Sequence, residues 1–284
     1  MFVIFRRQVG AKIILGYLAA LSLMVVIGYI AVARLDRINA TVGRLTNELA
    51  VERGLAQDVE SQVWLVRFYA NKYVRTQSQA DLDSFDAEFA QLGELLAQAD
   101  RQIKDSNRRA RLEQIQAAVS KYGEAFQRVT VLIQQRQRVE SEVLDVQALV
   151  VDNQLAALRV GLNTADNPQL FLAFSRAQSG YQQMRLNYVN YLATNDEGYV
   201  VLLNRGYQDA HSAFLSLESN LAESAQQQPV TNAQTALEAY YEGVQEVQSG
   251  NLQLKSLFTT QLDVLEPEIS LNASEIAADV TQEF

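Results

Sequence analysis

From about residue 35 onward, apolar residues recur at three- and four-residue spacing, and they do so in two copies of one pattern. That spacing marks helix faces that pack on other helices. Three Pro and 13 Gly in 284 residues leave long stretches free of helix breakers. The pattern therefore predicts an all-α chain built of long helices. A first helical segment runs from about Leu35 to Gln77, with Val59, Val63, Val66 and Tyr73 on its inner stripe. A second, from about Asp81 to Lys104, carries Phe85, Phe89, Leu92 and Leu96. The third is long, from about Arg108 to Gly161, with Ile115, Val119, Tyr122, Phe126 and Val129. A fourth begins near Pro168, a residue suited to a first helical turn, and shows Phe174, Tyr181, Met184, Tyr188 and Tyr191. The fifth starts near Glu197, with Val200, Leu203, Tyr207 and Phe214. The sixth starts near Pro229 and runs to the end, with Leu237, Tyr240, Val244 and Val247.

The stripes superpose at a constant offset of 118 residues: Leu82 falls on Val200, Phe85 on Leu203, Leu96 on Phe214, Tyr122 on Tyr240 and Val129 on Val247. Identical pairs include Arg67/Arg185, Tyr73/Tyr191, Thr76/Thr194, Glu124/Glu242 and Gln127/Gln245. The register holds without a gap from about Glu52 to Val129, and reads as an internal duplication. Each repeat supplies three helical segments, one short of a closed four-helix bundle. The second half of the third segment can complete the second bundle, and the second half of the sixth the first. Segments three and six, about 75 Å long, would then span two stacked bundles. Both stripes lapse where such a helix would pass between cores, at Gln134 to Arg138 and at Gln248 to Asn251. The expected bundles are residues 36–133 with 252–284, next to the membrane, and 134–251, away from it.

A membrane enters the reading because Ile13 to Ala33 is an uncharged run of 21 residues. As a helix it would span about 31 Å, enough for a transmembrane crossing. Arg6, Arg7 and Lys12 precede it, which puts residues 1–12 in the cytoplasm and the bulk of the chain outside, at the inner membrane. A cleaved signal peptide ending at Ala31-Val32-Ala33 is the rival, and the length of the run favours the anchor. Beyond Arg34 the chain carries 20 basic and 33 acidic residues. Such an acidic surface excludes nucleic-acid binding.

Chemistry of other kinds finds little support. There is no Cys, so disulfides, thiolate metal sites and cysteine catalysis are excluded. His211 is the sole histidine and has no metal-ligand companions. No nucleophile elbow or phosphate loop is present, so the chain is expected to be no enzyme and to need no cofactor.

The sharpest local motif is Arg-x5-Tyr, which occurs as Arg67 to Tyr73 and again, in register, as Arg185 to Tyr191. With the two-bundle plan, it resembles the helical bimodular sensor domain of bacterial methyl-accepting chemotaxis receptors and some sensor histidine kinases. The resemblance covers about residues 36 to 284. It implies an extracytoplasmic sensor that binds small organic acids, forms a homodimer, and signals across the membrane through its last helix. It also implies a second membrane crossing and an output domain beyond Phe284. Arg67 and Arg185 inherit the ligand-binding role. Where family members carry a second arginine one turn on, this chain has Ala70 and Asn71, or Tyr188 and Val189. That favours a monocarboxylate or neutral ligand over a dicarboxylate.

A guanidinium holds a carboxylate through two parallel hydrogen bonds, which suits the role. Helix heights place Tyr122 level with Arg67, and by the repeat Tyr240 and Tyr241 level with Arg185. The candidate ligand-binding set is thus Arg67, Tyr73, Tyr122, Arg185, Tyr191 and Tyr240. The competing assignment makes the arginines ion-pair partners of a neighbouring helix and the tyrosines core. Two other functions compete with the chemoreceptor: the sensor region of a transmembrane histidine kinase, reading a periplasmic binding protein, and a membrane-tethered scaffold without ligand. Pro267 removes a backbone hydrogen bond from the sixth segment and should kink it near Leu265 and Glu266.

Overall fold

A computed structural model describes residues 21–39, 42–43, 48–161, 168–221 and 224–282. All regular structure in these residues is helical. The elements are α1 (Ala50–Thr76), α2 (Gln79–Gln102), α3 (Ser106–Arg138), α4 (Asp145–Gly161), α5 (Pro168–Thr194), α6 (Glu197–Asn220), α7 (Ser224–Leu257) and α8 (Asp263–Gln282). A π-helical turn, Val139–Leu144, joins α3 to α4, and another, Phe258–Leu262, joins α7 to α8. The sixth segment starts at Ser224, so Pro229 lies inside α7 and not at its start. Residues 21–39 are helical and largely exposed. The expected anchor begins at Ile13, outside the described residues, and among the described residues no helix is long and apolar enough to cross a membrane.

The helix boundaries repeat at the offset seen in the stripes. Ala50–Thr76 falls on Pro168–Thr194, Gln79–Gln102 on Glu197–Asn220, and Ser106 on Ser224. The turns agree as closely. Gln77 and Asn195 both cap their helices in the left-handed region, at φ 54° and 53°, and their N–H groups bond the carbonyls of Tyr73 and Tyr191 at 2.6 and 2.7 Å. A left-handed residue here closes the last turn and satisfies an orphan carbonyl. Thr76 and Thr194 each accept, through Oγ1, the N–H two residues on, at 3.3 Å. That explains the threonine identity in local terms. Ile103 and Leu221 both end their helices in extended conformation, with side chains turned inward.

The correspondence also outruns the stripes. The two π turns end at Leu144 and Leu262, and the helices after them begin at Asp145 and Asp263. These pairs keep the same offset well past Val129. Pro267 lies inside α8, and the π turn Phe258–Leu262 ends before Leu265 and Glu266, where the proline is expected to act. An equivalent turn sits at Val139–Leu144, where the residue matching Pro267 is Leu149. The π turn therefore belongs to the repeat and does not require the proline.

The described residues divide into two compact units: residues 1–122 with 265–284, and residues 123–264. In the first, Val59, Val63, Val66, Phe85, Leu92, Ile115 and Val119 are buried with Ile269, Ala273 and Ile276 of α8. This unit holds a buried ion pair: Arg108 Nε lies 2.8 Å from Glu52 Oε2, with side chains 3% and 5% exposed. Asp279 of α8 lies 3.8 Å from Arg108 Nη1. In the second unit one core joins Val151, Leu155 and Leu158 of α4 to Phe174, Tyr181 and Met184 of α5, Leu203 and Phe214 of α6, and Leu237 and Val244 of α7. Each fully buried side chain of this size contributes roughly 1.5–3 kcal/mol of transfer free energy.

The repeats differ where their first two helices meet. In the second unit Gly180 faces Gly206. A Cβ on Gly180 would lie 2.6 Å from the backbone N of Ala210 and 2.8 Å from the carbonyl O of Gly206. Only glycine allows the two backbones so near. The matching residues in the first unit are Gln62 and Glu88, and there the Gln62 amide donates to the Glu88 carboxylate at 2.6 Å and to its carbonyl at 2.9 Å. One repeat thus packs backbone on backbone, and the other bridges the same helices with side chains. Gly180→Ala should cost about 1–3 kcal/mol, because backbone atoms cannot give way. Gly93→Ala, which meets nothing within 4 Å, should gain about 0.5–1 kcal/mol from helix propensity. Denaturant melts followed by circular dichroism test both.

Candidate functional site

The repeat places one arginine on the first helix of each unit, and each arginine takes a carboxylate from the helix that follows a π turn. Arg67 of α1 bonds Glu266 of α8 at 3.0 Å, and Arg185 of α5 bonds Asp152 of α4 at 2.9 Å. Glu266 matches Ala148 in the repeat and Asp152 matches Ser270, so the acids sit one turn apart on equivalent helices. Both arginines are 45% exposed. At that exposure an ion pair stabilises by about 0–1 kcal/mol.

The surroundings of Arg185 are rich in phenols. Its guanidinium stands 5.5 Å from the Tyr181 ring centre. Tyr181 donates through its hydroxyl to the Ala148 carbonyl at 3.1 Å. Tyr240 meets both Tyr181 and Tyr188 edge-on, at 6.3 Å between centroids, a favoured aromatic geometry. Tyr188 donates to Glu140, in the π turn, at 3.3 Å. Burial pushes the Tyr181 and Tyr188 phenols well up, with the Glu140 charge adding to the effect at Tyr188. Burial also raises Tyr240, to about 12, against the pull of Arg185. Burial works against the Arg185 charge, but Tyr181, Asp152 and Tyr240 outweigh it and raise its pKa. The cluster thus sets a cation beside neutral phenols, of which Tyr181 and Tyr188 already donate their protons within the protein. A groove of about 480 Å³ opens beside it, lined by Asp152, Arg159, Gln178, Tyr181 and Gln182 among others.

The first unit is arranged differently. Arg67 lies on the outer face of α1, in a groove with Trp64, Phe68, Asn71, Lys72 and Arg75. Trp64 and Phe68 stack there, 5.6 Å apart. Tyr73 and Tyr122 are buried in the core and do not line that groove. The structure therefore joins Arg185 to Tyr240 but does not bring Tyr122 into the groove beside Arg67. Tyr191 is buried, and burial raises its phenol. Tyr241, the alternative to Tyr240, instead stacks on Tyr207 at 3.8 Å and donates to Asn204. His211 stacks on Tyr207, with Nδ1 3.6 Å from Glu238, and no metal-binding group occurs among the described residues.

Several site residues escape sequence reasoning. Asp152 and Glu140 look like solvated surface, because nothing in the spacing reveals which carboxylate will meet an arginine 33 or 48 residues away. Tyr181 and Tyr188 were legible as stripe residues only, since a phenol on a helix face is usually core. The lapses at Gln134 to Arg138 and Gln248 to Asn251 were legible as polar, and they pair: Gln135 donates to Glu246 at 2.8 Å, and Arg136 to Asn251 at 3.1 Å.

Two outcomes follow from these environments. In an alkaline ultraviolet titration, Tyr240→Phe should remove a phenol that ionises near pH 12, leaving the titration of the exposed tyrosines unchanged. The second concerns Glu52, whose pKa burial raises above its ordinary value while Arg108 opposes the shift. A raised carboxylate contributes stability fully below its unfolded pKa and loses it as pH rises through the folded value. Glu52→Gln should therefore flatten the fall in melting temperature with pH just above the ordinary glutamate range. No known protein-family model matches the chain, and no curated protein sequence matches it.

Proposed function

We propose that this chain is the extracytoplasmic ligand-sensing region of a bacterial receptor of the chemotaxis type. It binds small organic acids, is held to the inner membrane by the segment at residues 13–33, and works as a homodimer. It is a duplicated sensor of the helical bimodular kind and no enzyme. The observation that carries this reading is the repeated ion pair. In each unit an exposed arginine holds an acid on the helix that follows a π turn. A ligand carboxylate competes for the same guanidinium. On binding, it frees Asp152 of α4 or Glu266 of α8, and α8 is the last helix among the described residues. A ligand shifts an equilibrium only through different contacts in the two states. Release of a carboxylate from one helix is such a difference, and π turns are common at functional positions.

The phenols beside Arg185 make the second unit the better acid site. Acetate, propionate and pyruvate, titrated into the full chain in lipid nanodiscs, should release or take up heat in a saturable way. Arg185→Ala should weaken that binding by about tenfold or more, as expected for a lost charge-assisted hydrogen bond. Asp152→Asn should strengthen it, because the internal competitor is gone. Absence of acid binding, or binding indifferent to both Arg67→Ala and Arg185→Ala, would sink the proposal.

A further inference from the structure

We propose that the polar layer around Arg136 and Asn251 is a separate binding site, and that it takes a small α-amino acid. All of its residues lie in the second unit. Arg136 donates through Nη1 to Asn251 Oδ1 at 3.1 Å. Its Nε is buried and has no hydrogen-bond acceptor among the described residues. Glu140 Oε1 stands 3.8 Å from that nitrogen, too far for a hydrogen bond. The amide nitrogen of Asn251 is likewise buried and makes no well-aligned hydrogen bond; it lies near the Tyr191 phenol, which it weakly stabilises in the charged form. Two poorly matched buried donors side by side are uncommon, because each has given up water without a full replacement. The position is also polar by departure from the repeat: the residue matching Asn251 is Ile133, 1% exposed.

A cavity of about 220 Å³ adjoins Arg136, lined also by Leu132, Val139, Glu246, Val247 and Gln253 among others, with Gly250, the neighbour of Asn251, at its edge. It has room for several waters or one small organic molecule. Its charges select the ligand. One cation, Arg136, faces two carboxylates, Glu140 and Glu246, so a bare anion meets net repulsion. A bare cation would leave both donors unmatched. A zwitterion answers both demands. Its carboxylate accepts from Arg136 Nε and Asn251 Nδ2, and its ammonium donates to Glu246. That carboxylate already accepts from Gln135 at 2.8 Å and keeps lone pairs to spare. Leu132, Val139 and Val247 leave an apolar wall for a small side chain. The π turn starts at Val139, so the site abuts the joint between α3 and α4.

The test uses the full chain in nanodiscs and calorimetric titration with L-alanine, L-serine and L-valine, against acetate and methylammonium. At least one of the three amino acids should bind, about tenfold or more tighter than either half-molecule. Asn251→Ile, which installs the residue of the matching position, and Glu246→Gln should each weaken amino-acid binding by about tenfold or more. Both variants should keep the wild-type melting temperature within a few degrees. Glu246→Gln should also improve acetate relative to the amino acid. Arg67→Ala and Arg185→Ala should leave amino-acid binding unchanged, which separates this site from the acid sites. Three results overturn the proposal: no binding of any of the three amino acids, a sign of a water-filled cavity only; acetate binding as tightly; or amino-acid binding that is lost with Arg185 and not with Asn251.

Discussion

A repeat of three helical segments cannot bury its own apolar stripes, and the rest of this fold follows from that shortage. Both cores are completed by a helix from beyond the repeat. Val151, Leu155 and Leu158 of α4 close the core of residues 123–264. Their counterparts at the repeat offset, Ile269, Ala273 and Ile276 of α8, are buried in the other unit. Burial of apolar surface supplies the driving force. It also explains why α4 and α8 each follow a π turn: both must re-aim their stripe after a long helix, and an extra residue in one turn does that.

Against this shared frame the two units differ chiefly in their polar cores. The first buries an ion pair, Glu52 with Arg108, where the second has Leu170 and Gln226 at the matching positions. A buried pair is weak as a source of net stability, but losing one partner strands the other charge. It thus holds the start of α1, the start of α3 and, through Asp279, the end of α8 in one arrangement. The second unit replaces Val63 and Ala70 by Tyr181 and Tyr188. Tyr181 and Tyr240 lie beside the Arg185 guanidinium and Tyr188 against Tyr240, where the first unit has Val63 and Ala70. The buried phenols beside an arginine are therefore a feature of the second unit. The first keeps Arg67 on an open face among Trp64, Phe68 and Lys72.

The proposed sensing mechanism rests on this asymmetry between frame and content. Within each unit the helices are held by buried stripes and, in the second unit at Gly180 and Gly206, by near contact of backbones. The arginine pairs at its surface are weak and exchangeable. A signal needs both: an inexpensive local change and stiff helices to carry it. In that proposal, exchange at Glu266 acts on α8 and exchange at Asp152 acts on α4.

By itself the sequence determined everything set by local periodicity. The helical class, the bounds of α2, the end of α4 and the starts of α5 and α6 to within a residue or two, and the offset of 118 were all legible, since apolar spacing and turn residues are properties of neighbours along the chain. Thr76 and Thr194 were visible as a pair because each serves its own turn. The start of α7 was misread because Pro229 resembles a first-turn residue, yet helix precedes it. Tertiary structure alone decided the partners. Whether Arg185 meets Asp152 or a neighbour, whether Tyr240 or Tyr241 turns toward it, and whether Gly180 is loose or locked against Gly206 depend on rotations of packed helices by a fraction of a turn. A stripe broad enough to be read from sequence leaves that rotation open. The final angle is set by the close packing of both faces at once.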